Sequence, residues 1–217
     1  MKPETNSALF LSSLCPFAKA DRAVCTVELC GYATRIQESA RLIQLGARAG
    51  LVSQLTGLGK TTVNRLYRQL HGEPSPPGQM PFTDTWYRAH DRRMLQATLV
   101  WRLQNRLLQT GRSAARALIE AFEAYELLIG EPLFDLTRIV HVPRLVNMET
   151  WHERVCQDCG TPFLSPVDSK KRICPGCRLY HRHRCRDCGF QLPLQTRGRR
   201  RETCPQCGFN KHRGRQR

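Results

Sequence analysis

Residues 156–177 read CQDCGTPFLSPVDSKKRICPGC, and residues 185–208 read CRDCGFQLPLQTRGRRRETCPQCG. These stretches contain eight of the eleven cysteines, spaced C-x2-C-x14-C-x2-C and C-x2-C-x15-C-x2-C. Each C-x2-C pair can turn both sulfur atoms toward one metal ion, and a loop of about fifteen residues lets a second pair complete a tetrahedron. We therefore predict two zinc ions, held by two sets of ligands. The sets are Cys156, Cys159, Cys174 and Cys177, and Cys185, Cys188, Cys204 and Cys207.

Four thiolates fill the coordination shell of zinc and leave no position for a reacting water, so sites of this kind are structural. No clustered carboxylates, nucleophile elbow or open metal site are present in the sequence, and we expect no enzyme. Three alternatives stay open for the cysteines: a disulfide framework, an iron–sulfur cluster, and one zinc with a partial second set. His181 or His183 could also replace a cysteine.

Paired cysteines of this spacing favour a reducing compartment, and we expect the chain to be cytoplasmic. Residues 8–14 are apolar, and Ala18-Lys19-Ala20 is similar to a cleavage site for export. The apolar run is short, however, and the single Lys2 ahead of it is offset by Glu4. No stretch approaches the length needed to span a bilayer, so we expect no membrane association.

Positive charge is concentrated toward the C-terminus. The chain has 34 Lys and Arg against 18 Asp and Glu, and residues 151–217 hold 16 of the basic residues but only 5 of the acidic ones. Such a surplus favours a polyanionic partner, and nucleic acid is the one we expect. The ordinary alternative is a solvated surface that binds nothing.

The remaining sequence predicts a mainly α fold, a helical body followed by small cysteine modules. Four segments are expected: an N-terminal extension (1–35), a helical domain (36–150), a first four-cysteine zinc module (151–180), and a second four-cysteine zinc module with a basic tail (181–217). Residues 1–35 show no sustained period, and the helical pattern begins only at Gln37 and ends near Gly50.

Three later helices are predicted from periodicity and capping residues. The first runs from Asp84 to Gln109 behind a Thr83 cap, with Gly111 after its end. A second follows a Ser113 cap and extends to Gly130. A third starts after Asp135, and we expect Pro143 to kink or break it near Val142.

Residues 49–70 read AGLVSQLTGLGKTTVNRLYRQL, in which Gly57 separates two short amphipathic segments. This pattern is typical of a helix-turn-helix, whose second helix contacts DNA. An ordinary helical hairpin with a solvated polar face is the alternative. We predict DNA contacts from this helix and from the basic C-terminal region. The residues are Lys60, Thr61, Thr62, Asn64, Arg65, Arg68, Lys170, Lys171, Arg172, Arg178, Arg199, Arg200 and Arg201.

Three motifs together give the chain a family resemblance. ARLIQLGARAGLVSQLTGLGKTTVNRLYRQLHG at 40–72 is followed by SPPGQMPFTDTWY at 75–87, by long helices and by a cysteine quartet. This order resembles the FlhC family of flagellar activators, over about Glu38 to Cys177. The resemblance implies a transcriptional activator that joins FlhD in a hetero-oligomer, binds DNA upstream of flagellar operons and recruits RNA polymerase. It also implies zinc ligands at Cys156, Cys159, Cys174 and Cys177.

Two features depart from that pattern: the extension before the first family-like helix, and the second cysteine quartet with its arginine-rich loop. The second departure puts the target promoters and the identity of the partner in doubt. A zinc-dependent RNA-binding module is the alternative function, although residues 151–217 offer few aromatic side chains for base stacking.

Overall fold

The computed structural model describes residues 27–78, 81–193 and 201–208. These residues are mainly helical, as predicted, with one small sheet. The helices and strands in chain order are α1 (Val27–Gln44), α2 (Ala49–Thr56), α3 (Lys60–His71), α4 (Thr85–Arg88), α5 (Asp91–Gln109), α6 (Ala114–Leu128), α7 (Leu136–Asn147), β1 (Trp151–Val155), β2 (Pro162–Pro166), α8 (Pro175–Tyr180) and a 3-10 turn (His181–His183).

The chain divides into two compact units, and the division crosses two helices. One unit takes the described residues before 81 together with 103–140, and the other takes 81–102 and the described residues from 141 onward. Residues 81–102 therefore lie in the same unit as the cysteine modules. The division of the chain into four sequence segments stays a prediction.

The first unit is a helical body. Helix α1 packs on α2, α3 and α6, and Leu42, Ile43 and Leu118 are fully buried at its centre. Burial of each large aliphatic side chain stabilises such a core by about 1.5–3 kcal/mol. A polar contact inside it joins α1 to α2: the buried Ser39 hydroxyl donates to the Thr56 hydroxyl, 3.1 Å away. The unit therefore has a core of its own.

The second unit is centred on aromatic side chains. Tyr87 and Trp151 are fully buried and meet edge to face, with ring centroids 5.5 Å apart. The indole Nε1 of Trp151 donates to Asp84 Oδ2 at 2.9 Å. On β2, the Leu164 amide donates to the Thr98 hydroxyl of α5 at 3.2 Å. The hairpin that carries the first cysteine pair is thereby fixed to helical residues.

Strands β1 and β2 form that hairpin, and the sequence did not predict them. They pair antiparallel over five residues, from Trp151 opposite Pro166 to Val155 opposite Pro162. Prolines at both ends of β2 gave no strand signal, yet a proline can occupy the end of a strand, where its missing N–H leaves the ladder intact.

Helix α1 corrects the predicted start of the body. It begins at Val27, ten residues before Gln37, and it ends at Gln44, before the predicted end near Gly50. Its early apolar residues Leu29 and Tyr32 are 57% and 44% exposed. Because they do not line a buried face, they leave no amphipathic period in the sequence.

Two further helix predictions were wrong in detail. The predicted helix from Asp84 with a Thr83 cap instead begins at Thr85 with Asp84 as its N-cap, ends at Arg88, and is followed by the long helix α5 from Asp91. Of the predicted kink or break at Pro143, the break does not occur, because α7 continues through the proline. Val142 and Leu145 are buried on either side of the proline. Their packing offsets the lost backbone hydrogen bond, whose cost is about 3 kcal/mol or more.

Two capping predictions are confirmed. The Ser113 side chain accepts a hydrogen bond from the Arg116 amide at the start of α6, and Gly111 after α5 has a left-handed φ of 80°. These caps satisfy backbone groups that a helix end leaves without intrahelical partners. Within the described residues, no helix combines the length and apolar character needed to cross a membrane.

Candidate metal centres and nucleic-acid surface

The first cysteine pair lies in a tight turn that directly follows β1. The Cys156 amide donates to the Thr161 carbonyl at 3.1 Å, and the Gly160 amide donates back to the Cys156 carbonyl at 2.9 Å. Gly160 has a φ of 68°, in the left-handed region that favours glycine. The turn brings Cys159 back toward Cys156.

The second pair of this site lies at the start of α8. Cys174 is the N-cap, and its Sγ accepts from the Cys177 amide at 3.3 Å. The Cys174 amide in turn donates to Cys156 Sγ at 3.2 Å. Backbone N–H groups directed at sulfur favour the thiolate, which is the form that binds a metal ion.

The four sulfur atoms fit a tetrahedral zinc ion. Cys156 Sγ and Cys177 Sγ are 3.9 Å apart, and Cys159 Sγ and Cys174 Sγ are 3.8 Å apart. A Zn–S distance of about 2.3 Å sets the edge of the tetrahedron at about 3.8 Å, whereas a disulfide needs about 2.05 Å. All eight C-terminal cysteines are free thiols, and the disulfide framework does not form.

The second quartet has the same turn hydrogen bonds as the first. The Cys185 amide donates to Phe190 O at 2.7 Å, and the Gly189 amide donates to Cys185 O at 2.9 Å. Gly189 has a φ of 72°, and Cys188 Sγ lies 3.7 Å from Cys204 Sγ. Each quartet gathers its four sulfur atoms within 4.8 Å of one another. Both sites therefore have the geometry to hold a metal ion.

The metal-free thiols differ in acidity within each site. A hydrogen bond with the Thr161 hydroxyl lowers the pKa of Cys159 to about 6. The Cys204 amide lowers the pKa of Cys185 to about 6 in the same way. Burial raises the pKa of Cys177, and the neighbouring Cys204 thiol raises the pKa of Cys207 to about 12. Each site thus contains at least one thiol with a lowered pKa.

Helix α3 carries the predicted DNA-contacting residues of the body on one side. Val63 and Tyr67 are buried, so the opposite side of the helix faces solvent. The exposed residues are Lys60, Thr61, Asn64, Arg65 and Arg68, and Thr62 is half-buried. A surface groove of about 520 Å³ is lined by Thr61, Asn64, Arg65, Arg68 and Gln69.

The basic residues of the C-terminal region are in different surroundings. Lys170, Lys171 and Arg172 are exposed on the loop before Cys174, and Arg201 is exposed before Cys204. Arg199 and Arg200 lie outside the described residues. These placements leave the predicted contacts at Lys170, Lys171, Arg172 and Arg201 accessible to a ligand.

Arg178 was predicted to contact DNA, but its side chain bonds to other residues of the protein. Its Nη2 lies 2.6 Å from Asp91 Oδ1, its Nε lies 3.0 Å from the same oxygen, and its Nη1 donates to the Ile173 carbonyl. All three nitrogens of the guanidinium are therefore engaged within the protein. This favours a structural role for Arg178, tying α8 to the start of α5.

A family model described as "Flagellar transcriptional activator (FlhC)" matches residues 27–192, well over half of the chain. The chain belongs to the FlhC family. The flagellar transcriptional regulator FlhC of Serratia marcescens is 30% identical over 136 residues, 60% of this chain and 70% of the relative. The regulator of Proteus mirabilis is 27% identical over 151 residues, 66% and 78% of the two chains. That of Variovorax paradoxus strain S110 is 25% identical over 154 residues, 68% and 76%.

Membership of the FlhC family confirms the resemblance seen in the motifs. The family consists of transcriptional regulators, so this chain is a flagellar transcriptional regulator and not an enzyme. The FlhC match begins at Val27, where α1 begins, and not at Glu38. It ends at Leu192, so Cys204 and Cys207 of the second quartet lie beyond it.

The sequence analysis did not predict one pair of residues that positions the first cysteine site. Asp84 and Trp151 are 67 positions apart, yet their hydrogen bond fixes the beginning of β1 beside α4. Asp84 lies in the PFTDTWY motif, but nothing in the sequence indicates that it contacts Trp151.

Proposed function

We propose that this FlhC-family chain is the DNA-binding, zinc-containing subunit of a cytoplasmic flagellar activator. The observation that carries the proposal is the polar side of α3. It exposes Lys60, Asn64, Arg65 and Arg68 on one side of a helix whose other side is buried. Arginine and asparagine are the side chains that best match phosphates and base edges in the major groove of DNA.

The connection before α3 supports the same conclusion. Helix α2 ends at Thr56, Gly57 adopts a left-handed φ of 69°, and α3 starts at Lys60. The first turn of α3 has no acidic residue, so its positive helix dipole faces outward without compensation from a carboxylate. A helix that follows so short a turn and presents basic residues at its N-terminal end resembles the recognition helix of a helix-turn-helix.

Zinc is the metal proposed for both cysteine sites. Four-cysteine sites with sulfur edges close to 3.8 Å match the size and tetrahedral preference of Zn²⁺, and thiolates neutralise its charge without an open position. The ligands would be the eight C-terminal cysteines. Zinc bound there would fix the loop that presents Lys170, Lys171 and Arg172.

The proposed assembly contains an FlhD-like subunit, and the complex acts by recruiting RNA polymerase to flagellar operons. Family membership supports both partners. The end of α6 adds a surface for one of them, since Leu127 and Leu128 are adjacent, apolar and exposed. Exposed apolar side chains that lie together can mark a protein interface, where their burial contributes to the free energy of association.

Duplex binding by an Arg65→Ala/Arg68→Ala variant tests the DNA proposal. With a flagellar promoter fragment and the chain assembled with its FlhD-like partner, we expect affinity to fall at least tenfold. The slope of log affinity against log salt should also decrease by about 2, because two phosphate contacts are lost. The matched control is Arg106→Ala, an exposed arginine on α5. Equal affinity of the α3 variant and the wild type would reject the proposal.

A further inference from the structure

The two cysteine modules share one backbone frame, so their surface residues can be compared position by position. Beyond the turn bonds, the Gln157 amide donates to Arg172 O at 3.1 Å, and the Arg186 amide donates to Glu202 O at 2.9 Å. Both acceptors lie two residues before the third cysteine of their module. The last pair of the first hairpin, Val155 with Pro162, has its counterpart in the bridge of Arg184 with Gln191.

Two exposed positions beside the first turn of this shared frame differ in chemical character. Where the first module has Val155, the second has Arg184, and where the first has Thr161, the second has Phe190. Arg182, two residues before Arg184, is also exposed. The turn is therefore retained, while these two neighbouring positions become basic and aromatic.

Arg184 and the residue before Phe190 lie next to Tyr180. Tyr180 and Phe190 are 58% and 63% exposed. A Cβ on Gly189 would lie 3.9 Å from the Tyr180 hydroxyl, so the tyrosine reaches the residue before Phe190. Arg184 places its guanidinium carbon 5.3 Å from the centroid of the Tyr180 ring, and its Nη1 donates to the Gly189 carbonyl at 3.3 Å. One arginine thus connects the two aromatic positions.

Rigid support distinguishes this surface from scattered surface aromatics. The backbone of Phe190 is held by the bond from the Cys185 amide, and Tyr180 is the last residue of α8, which begins at the metal-binding Cys174. Exposed aromatic rings held beside arginines provide faces for stacking and positive charge for phosphates. Paired bases inside a duplex do not offer their faces, whereas unpaired bases do.

We propose that the surface formed by Tyr180, Arg182, Arg184 and Phe190 binds unpaired nucleotides of a nucleic-acid strand. This surface is separate in sequence from α3. The proposal rests on the proposed function only in taking nucleic acid as the ligand of the chain. The aromatic rings stack on bases, and Arg182 and Arg184 contact the flanking phosphates. A promoter opened by polymerase or a transcript can each supply such a strand.

The direct test is binding of a fluorescein-labelled oligo(dT) strand to the zinc-loaded full-length chain, followed by fluorescence anisotropy. We expect Phe190→Ala and Tyr180→Ala each to weaken binding about tenfold, because one stacked base is lost. Phe190→Trp should retain the affinity, and its added indole emission should be quenched when unlabelled oligo(dT) binds. Oligo(U) of equal length distinguishes RNA from DNA as the source of the strand.

Matched controls use the first module. Val155→Ala changes the counterpart of Arg184, and Val167→Ala removes another exposed apolar side chain of the same unit. Both should bind oligo(dT) as the wild type does. Zinc content of every variant is measured first, so that a variant that has lost its fold is identified and replaced by Phe190→Leu, which keeps the apolar bulk but removes the aromatic face.

Three outcomes would overturn the proposal. Wild-type affinity of both aromatic variants would do so, as would indole emission of the Phe190→Trp variant that stays unquenched in the bound complex. Equal weakening of oligo(dT) and duplex binding would assign the surface to duplex DNA. Failure of duplex binding at α3 leaves this result intact, because the Arg65→Ala/Arg68→Ala variant should bind oligo(dT) normally.

Discussion

The first cysteine module is built into the second unit, whereas the second module depends almost wholly on its own ligands. Five residue pairs join β1 to β2, and the hairpin also bonds to Asp84 and Thr98. Among the described residues, the second module has a single β-bridge and an ion pair between Arg186 and Asp158 of the first module, and its small buried cluster adds only Leu192 to Cys185 and Cys204. The same frame is therefore supported by a hairpin and tertiary packing in one case, and would depend chiefly on the proposed zinc ion in the other.

This difference indicates how a zinc module can be added to a protein without rebuilding its core. The frame needs two tight turns and a few backbone bonds, all local to the cysteines. When zinc supplies the free energy of folding, the solvent-facing positions are free to change. The change from Val155 and Thr161 in one module to Arg184 and Phe190 in the other is an example.

The largest effect is expected from loss of a buried ligand in the first module. Cys174→Ser removes a thiolate that is also the N-cap of α8 and an acceptor for the Cys177 amide. We expect the loss of one zinc ion per chain and destabilisation of the second unit by about 4 kcal/mol. Metal analysis and thermal unfolding measure the two effects.

Cys204→Ser is the matched change in the second module, and the comparison depends on it. It should also remove one zinc ion, but hydrogen exchange should increase only over residues 181–208, with protection of the hairpin unchanged. If both variants lower the melting temperature equally, the two modules are equally integrated into the unit and the contrast drawn above is wrong.

A smaller effect is expected at the bond that anchors the first hairpin. Asp84→Ala leaves the Trp151 Nε1 without its acceptor, and an unsatisfied buried donor costs about 1–3 kcal/mol. Asp168→Ala is the control, because Asp168 also pairs with Arg88 but is exposed. Chemical denaturation of the two variants should separate them by at least about 1 kcal/mol.

The smallest effects test whether the two frames are equivalent. Gly160→Ala and Gly189→Ala each place a side chain at a φ near 70°, at a cost of roughly 1–2 kcal/mol. Both should release zinc to a competing chelator more readily, and by similar factors. Gly50→Ala, at a helical position with open space around it, should not change zinc release. Unequal losses would show that the turns are not equivalent.

The sequence predicted the cysteine sets correctly because their spacing is a local property. A C-x2-C pair with a following glycine specifies its turn without reference to the rest of the chain, and both sets gathered as the spacing indicated. Ser113 and Gly111 were predictable for the same reason, since caps act within one helical turn.

What the sequence could not predict depended on burial and on distant partners. Leu29 and Tyr32 are exposed, so the first turns of α1 leave no amphipathic pattern in the sequence. Buried Val142 keeps α7 helical through Pro143. The internal use of Arg178 depends on Asp91, 87 positions earlier. The sequence shows that Arg178 is basic, but it does not show with which carboxylate the residue forms an ion pair.

Because Cys174 begins α8 and Tyr180 ends it, a sulfur ligand and an aromatic ring are joined by less than two turns of helix. Oxidation or demetallation at that sulfur would loosen the N-terminal anchor of the helix and with it the orientation of the ring. Occupancy of the proposed first zinc site would thus affect the far end of α8 through six residues, without any change in the second module's own ligands.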